Sequence, residues 1–149
     1  MSGSDPTSVS NTLILHAACV SVDDRGVLIL GKSGSGKSGL ALQLMGLGAT
    51  LVADDRVELK RQGADLVARV PAAIAGLIEM RGLGVLRADH RDTAVIHTVV
   101  DLDQTEENRL PDHHMIELLG LQLTLLKRVN SPVFAASLLH YLKCGRHTP

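Results

Sequence analysis

Residues 31–38, with the sequence GKSGSGKS, constrain what this chain can fold into more than any other feature. They match the phosphate-binding loop pattern G-x-x-x-x-G-K-[ST] at every defined position. In this pattern the glycines let backbone N–H groups cradle phosphate oxygens, the lysine reaches the β- and γ-phosphates, and the final hydroxyl can ligate Mg²⁺. The residues predicted to bind nucleotide phosphates are Gly31, Lys32, Ser33, Gly34, Ser35, Gly36, Lys37 and Ser38.

The sequence on either side of the loop supports the same interpretation. Residues 27–30 form an apolar run that predicts a strand, and residues 38–45 predict a helix with Leu40, Ala41 and Leu44 on one face. A strand, a glycine-rich turn and a helix N-terminus suit anion binding, because the unpaired N–H groups and the helix dipole point at the ligand. The order of elements around the loop is therefore strand, loop, helix.

Most of the remaining chain is predicted to form short strands joined by turns. Strands are predicted at residues 13–22, 27–30, 50–53, 56–60, 66–70 and 94–102, with turns at residues 23–26 and 62–65. The pattern differs from the regular strand–helix alternation of a large doubly wound sheet. The predicted class is α/β, with the phosphate-binding loop set in a mixed, β-rich sheet and flanked by helices.

The C-terminal part of the chain is less regular. Residues 103–113 are polar and predict a loop, whereas residues 115–129 fit neither the helical nor the strand period and are left open between the two. Ser131 and Pro132 predict a helix start, with the serine as N-cap and the proline in the first helical position. This helix is expected to run to about Lys143.

Composition bounds the class of protein. With 149 residues, 45% hydrophobic and 21% charged, the chain is globular, and its net charge of −1 implies no surface for nucleic acid. No apolar run reaches membrane-spanning length. Two cysteines without a secretory signal favour reduced thiols and a cytoplasmic location. We expect a disordered polar tail at residues 1–11 and a single domain at residues 12–149.

Two adjacent carboxylates, Asp54 and Asp55, follow the predicted strand after the loop helix. Phosphoryl transfer needs a carboxylate that positions the metal and a group that accepts the proton of the attacking hydroxyl. Neighbouring residues on a strand point to opposite faces, so each aspartate can take only one of these roles. The sequence predicts that both belong to the site.

The chain resembles the catalytic domain of bacterial HPr kinase/phosphorylase. The resemblance rests on His16 before the loop, the loop itself, ADDRV at residues 53–57 and EMRGLG at residues 79–84. Weaker matches lie at residues 91–93 and 108–110. These pieces cover most of the chain from residue 16 to about residue 110, and they imply an HPr kinase/PEP carboxykinase-like P-loop fold.

The resemblance also implies an activity and a set of roles. The family enzyme uses ATP and Mg²⁺ to phosphorylate a seryl hydroxyl of HPr, a small carrier protein of the bacterial phosphotransferase system, and its members assemble as hexamers. Carried over by motif, the predicted catalytic residues are His16, Lys37, Asp55 as proton acceptor, and Arg109. The predicted metal ligands are Ser38, Asp54 and Glu79. The predicted partners are an HPr-like carrier and further copies of this chain.

The chain departs from the family pattern in two places. The glycine-rich segment that follows RGLG in the family is replaced by residues 85–90, and residues 121–130 match only weakly the region associated with the reverse, phosphorylase reaction. Kinase activity is therefore expected to exceed phosphorylase activity. The compact form is similar to the short enzymes of alphaproteobacteria.

Other functions remain open from the sequence. A small-metabolite kinase would need an arginine-rich lid, and Arg81, Arg87, Arg91 and Arg109 are dispersed. A GTPase would need an N-K-x-D element after the loop, which the sequence lacks. A nucleotide-sensing module would not need the proton acceptor Asp55. The remaining histidines, including His113 and His114, show no metal-binding spacing.

Overall fold

The computed structural model describes residues 11–147. The predicted tail lies outside the described residues except for Asn11, whose carbonyl accepts a hydrogen bond from the Arg61 backbone N–H (2.9 Å). Within the described part the chain forms strands β1 Thr12–Leu15, β2 Ala18–Val22, β3 Arg25–Leu30, β4 Thr50–Ala53, β5 Val57–Gln62, β6 Asp65–Arg69, β7 Leu77–Met80, β8 Gly84–Arg87, β9 Thr93–Thr105, β10 His114–Leu118 and β11 Leu121–Arg128. The helices are α1 Lys37–Gly46, a 3₁₀ turn Ala72–Ile74, and α2 Phe134–Cys144.

Nine of these strands form one mixed sheet in the order β1-β5-β6-β9-β3-β2-β4, with β11 also on β9 and β10 on β11. β9 runs parallel to β3 and β11 and antiparallel to β6. β2 is antiparallel to both β3 and β4, so β3 and β4 point the same way. β7 and β8 form a separate two-stranded sheet. The predicted α/β class with a mixed, β-rich sheet is confirmed.

The sheet has a hydrophobic core on each face. β3 shows how the pattern arises, because Val27 and Ile29 pack with one cluster and Leu28 with the other. Side chains alternate between faces along a strand, so a strand buried on both faces needs a continuous apolar run. Helices α1 and α2 cover the first face through buried leucines such as Leu44 and Leu142.

Several predicted elements are confirmed, whereas residues 13–22 and residues 115–129 each form two strands separated by a bend or turn. The β2–β3 and β5–β6 hairpins, α1 and β4 form where expected, and β9 begins close to its predicted start. Predicted strand 13–22 is instead broken by a bend at His16. The undecided segment 115–129 is the β10–β11 hairpin, in which Leu119 (φ 50°) and Gly120 (φ 79°) make the two-residue turn. Two positive φ angles in succession match the right-handed twist of paired strands.

The predicted boundaries of β9, of the loop that follows it and of the last helix also change. β9 continues to Thr105, so the loop predicted from residue 103 begins at Glu106. The last helix begins at Phe134 rather than at Ser131-Pro132, because those residues form a turn of their own. In this turn the Ser131 hydroxyl accepts a hydrogen bond from the Val133 N–H at 3.2 Å. No helix among the described residues is long and apolar enough to cross a membrane.

Candidate active site

The candidate site lies at one edge of the main sheet. β3 and β4 are parallel, so their carboxyl ends meet at this edge, where the loop after β3 and the aspartates after β4 follow. In open α/β sheets ligands bind in the crevice outside the carboxyl ends of the strands. The topology therefore brings the loop and Asp54 together although 16 residues separate Ser38 from Asp54.

The phosphate-binding loop has the backbone that its glycines predict. Gly36 caps α1 in the left-handed region (φ 102°), and a side chain at Gly31 would collide with the Ser35 hydroxyl. The Lys37 ammonium is folded back onto the loop, where it donates to the carbonyls of Gly31 (2.6 Å) and Lys32 (3.2 Å). A side chain held only by loop carbonyls can swing towards an anion in the loop.

Asp54 is the most constrained carboxylate of the site. It is 5% exposed, and its Oδ1 accepts a 2.6 Å hydrogen bond from the Ser38 hydroxyl. Its Oδ2 accepts a 3.2 Å bond from the backbone N–H of Glu79. A buried carboxylate needs such donors, because burial without them is costly. The hydroxyl and the carboxylate that the sequence assigned to the metal are thus in direct contact.

Asp55 differs from Asp54 in its exposure and in its backbone conformation. Its side chain is exposed, and its backbone lies in the left-handed region with φ 74°. Aspartate tolerates this region better than most residues, but it remains strained for an L-amino acid. Such strain collects at functional sites, where the surrounding structure holds it. The turn directs the two carboxylates into different surroundings.

Glu79 comes from the β7–β8 hairpin. Its backbone N–H donates a hydrogen bond to Asp54. Its side chain is exposed, although the residues beside it in the sequence are apolar. It lines an open cavity of about 470 Å³. The side chains and backbone that line this cavity, called here the catalytic cavity, belong to Ser33, Gly34, Gly36, Lys37, Ser38, Gly39, Asp54, Asp55, Glu79, Met80 and Arg81.

Two predicted catalytic residues lie outside the catalytic cavity. His16 sits in the bend between β1 and β2, not on a strand, and its side chain is exposed. Ala18 pairs with Ile29 and Cys19 with Ala53, so continuing this register places His16 at the same edge as Gly31. Arg109 lies in the exposed loop between β9 and β10. Arg109 is not among the residues that line the catalytic cavity.

Two residues that contact the loop were missed in the sequence. The Asp103 carboxylate accepts the Lys32 N–H at 3.0 and 3.2 Å. The Arg128 guanidinium donates to the Leu102 carbonyl at 3.0 Å and to the Ser35 carbonyl. Asp103 lies near the carboxyl end of β9, the strand next to β3, a position where a polar residue signals contact with the loop. Arg128 lies 93 residues from Ser35 and carries no local signal.

The donor set of the catalytic cavity fits Mg²⁺. Ser38, Asp54 and Glu79 offer oxygen atoms, which this hard cation prefers. Within residues 11–147 no three His, Cys, Asp or Glu side chains form a cage of their own. Mg²⁺ is usually held by one or two carboxylates together with substrate phosphates rather than by a protein cage. The observed arrangement therefore suits a metal that arrives with a nucleotide.

A family model described as the HPr Serine kinase C-terminal domain matches residues 7–127. The chain belongs to this family. It is 39% identical over 125 residues to the HPr kinase/phosphorylase of Cupriavidus necator, an alignment that covers 76% of this chain and 39% of the relative. It is 37% identical over 130 residues to that of Brevibacillus brevis, covering 82% of this chain and 40% of the relative.

The fold of this family member also matches a solved structure. The Hpr(Ser) kinase/phosphatase from Coxiella burnetii superposes with a TM-score of 0.75 at 21% identity, covering 88% of this chain and 94% of the other. This likeness supports the fold. The chain spans about two fifths of the length of the curated relatives it matches.

Proposed function

We propose that this chain is the catalytic domain of a protein-serine kinase that uses ATP and Mg²⁺ to phosphorylate an HPr-like phosphocarrier protein. One observation carries the proposal: Lys37, the Ser38–Asp54 pair and Asp55 all face one cavity. Phosphoryl transfer requires these parts, namely a charge-compensating cation, a metal-positioning pair and a separate proton acceptor. Family membership and relatives named HPr kinase/phosphorylase support the nature of the acceptor.

The roles follow from the surroundings of each residue. The loop N–H groups and Lys37 hold the phosphates and offset the charge that builds up during transfer. Ser38 and Asp54 would hold Mg²⁺, which would supply positive charge to offset the negative charge of the phosphates. Asp54 is committed to two hydrogen-bond donors, whereas Asp55 is exposed and has room for an acceptor protein.

In the chemical step Asp55 acts as the proton acceptor. The seryl oxygen attacks the γ-phosphorus, the bond between that phosphorus and the β,γ-bridging oxygen breaks, and ADP leaves. The seryl proton passes to the Asp55 carboxylate. Glu79 is proposed as a further metal carboxylate, because it lines the same cavity and its backbone is bonded to Asp54. His16 remains a proposed participant at the sheet edge, and Arg109 one that would act from its exposed loop.

The reverse, phosphorylase reaction is proposed to be weak. Inorganic phosphate would have to occupy the position of the ADP β-phosphate and attack the phosphorus of phosphoserine. The bond between that phosphorus and the seryl oxygen would break, pyrophosphate would form, and Asp55 would return the proton to the seryl oxygen. The departures at residues 85–90 fall on strand β8 and just after it, and β8 is the partner strand in the hairpin that carries Glu79. Misplacing a nucleophile by about 1 Å can lower a rate roughly a hundredfold.

The direct test is incubation with Mg-ATP and an HPr-like protein, followed by mass mapping of the modified residue. Phosphoserine on the carrier, absent when Asp55→Asn replaces the wild type, is the expected result. Phosphorylation of a small metabolite in a matched panel, with the carrier unmodified, would favour the metabolite kinase. Tight ATP binding without transfer to either would favour a nucleotide sensor.

We also propose a cytoplasmic, homo-oligomeric protein. Cys19 and Cys144 are both free, as in a reducing compartment. Ile14 is 62% exposed and Val95 43% exposed on strands of the main sheet. Exposed apolar side chains on strands favour association with another surface. Light scattering of the purified chain tests whether it forms the hexamer that the family resemblance implies.

A further inference from the structure

A second cavity, called here the lateral groove, lies beside the phosphate-binding loop. Its volume is about 290 Å³, and it lies between the start of α1 and the segment that follows β11. Gly36 and Gly39 line both the lateral groove and the catalytic cavity. The two cavities therefore meet at the first turn of α1, where the phosphates of a nucleotide would sit.

The order of the strands indicates which part of a nucleotide each cavity would bind. Asp54 and Asp55 follow β4, which lies on one side of β3, whereas β9 and β11 lie on the other side. The γ-phosphate must face the carboxylates, so the rest of the nucleotide extends away from β4. It then reaches the carboxyl ends of β9 and β11, which border the lateral groove through Leu102 and Arg128.

The chemistry of the groove suits a nucleoside. Leu40, Leu102 and Phe134 supply apolar surface, and the amides of Gln43 and Asn130 supply donors and acceptors. Small-molecule sites combine apolar walls with a few polar groups in this way. None of the described residues that line the groove is acidic. Guanine presents adjacent N–H donors that a carboxylate satisfies best, whereas adenine pairs a donor with an acceptor, which an amide matches.

Arg128 connects the groove to the loop. Its guanidinium is half-buried and donates to the carbonyls of Ser35 and Leu102. These bonds fix the wall of the groove relative to the loop backbone. A base in the groove and phosphates in the loop would therefore be held by one connected unit.

We propose that the lateral groove binds the adenine and ribose of ATP, with Gln43, Asn130 and Phe134 contacting the nucleoside. This inference rests on the proposed function, because it locates the remainder of the same nucleotide. It adds residues of α1, of the segment after β11 and of α2 to a site that the loop motif alone confines to residues 31–38.

The test compares two ligands by calorimetry on the full chain in Mg²⁺: ATP, and inorganic tripolyphosphate, which lacks the nucleoside. Gln43→Glu and Asn130→Ala alter exposed side chains of the groove, and Gln62→Glu in the β5–β6 hairpin is the charge-matched control. We expect each groove variant to weaken ATP binding about tenfold and tripolyphosphate binding less than about twofold. The wild type should bind GTP more weakly than ATP.

The outcomes separate this inference from the proposed function. If the groove variants bind ATP as tightly as the wild type, or weaken ATP and tripolyphosphate equally, the nucleoside lies elsewhere and the inference is overturned while the kinase proposal stands. If the wild type binds neither ligand, the proposed function falls and this inference with it. Thermal melts of each variant identify any loss of affinity that comes from unfolding.

Discussion

Two substitutions of Asp54 test how the site is built. Asp54→Asn removes the charge and keeps hydrogen-bonding atoms, whereas Asp54→Ala removes both. Both Asp54→Ala and Asp54→Asn remove the carboxylate and should abolish transfer. Their stabilities should differ. In Asp54→Ala the Ser38 hydroxyl and the Glu79 N–H both lose their acceptor at a position that is only 5% exposed. In Asp54→Asn the amide oxygen can accept from Glu79 while its NH₂ group donates to Ser38.

The magnitudes follow from these bonds. A hydrogen bond to a charged group contributes about 1.5–3 kcal/mol to the free energy of unfolding. Removing the Asp54 charge also removes the cost of burying that charge, which offsets part of the loss. We therefore expect Asp54→Ala to lower the free energy of unfolding by about 3 kcal/mol and Asp54→Asn by about 1 kcal/mol or less. For a chain of this size, about 3 kcal/mol corresponds to a fall in Tm of roughly 6–12 °C.

Urea unfolding of the two variants and the wild type measures the difference. Asp55→Asn is the matched control, since its side chain is exposed and its stability should stay within about 0.5 kcal/mol of the wild type. Equal stability of Asp54→Ala and Asp54→Asn would show that the bonds to Ser38 and Glu79 do not hold the buried carboxylate. That result would refute the proposed linkage between loop, β4 and hairpin.

Four further predictions concern catalysis and reactivity. Asp55→Asn should lose roughly a hundredfold or more in transfer while ATP still binds, because an amide cannot accept the seryl proton; near-normal transfer would assign the base elsewhere. Glu79→Gln should raise the Mg²⁺ concentration needed for half-maximal rate, and an unchanged metal titration would leave Glu79 a structural role. Supplied with phosphoserine-carrier and millimolar phosphate, the enzyme should form pyrophosphate far more slowly than it phosphorylates the carrier; comparable rates would contradict this. A thiol reagent should label Cys144, which is exposed, and leave Cys19 unmodified until the protein unfolds, because burial raises the pKa of the Cys19 thiol to about 12; mass spectrometry after native labelling decides this.

The predictable parts of this site were those that local sequence determines. The loop, its strand and α1 depend on glycines, a short apolar run and helical spacing within about 20 residues. Asp54 and Asp55 were recognisable because they end the next strand, and the carboxyl ends of parallel strands share an edge. The spacing of these residues in the sequence did not reveal that Asp54 contacts the Ser38 hydroxyl. It also did not reveal that Asp54 accepts a hydrogen bond from the Glu79 N–H.

The remaining features depend on contacts between distant segments. Arg128 reaches the loop because β11 joins β9, a pairing that residues 115–129 did not reveal while their secondary structure was undecided. That segment was ambiguous because the leucines of β11 are partly buried on both sides of the strand, which removes the alternation that marks a half-exposed strand. The β7–β8 hairpin, with four residues in each strand, was not predicted.

The separate β7–β8 sheet also makes the site observable by hydrogen exchange. Among the described residues β7 pairs only with β8, so this hairpin can open without disturbing the large sheet. Its Glu79 backbone N–H donates a hydrogen bond to the buried carboxylate of Asp54. The exchange rate of this single proton therefore reports whether the carboxylate still accepts its hydrogen bond, and the measurement requires no turnover of the enzyme.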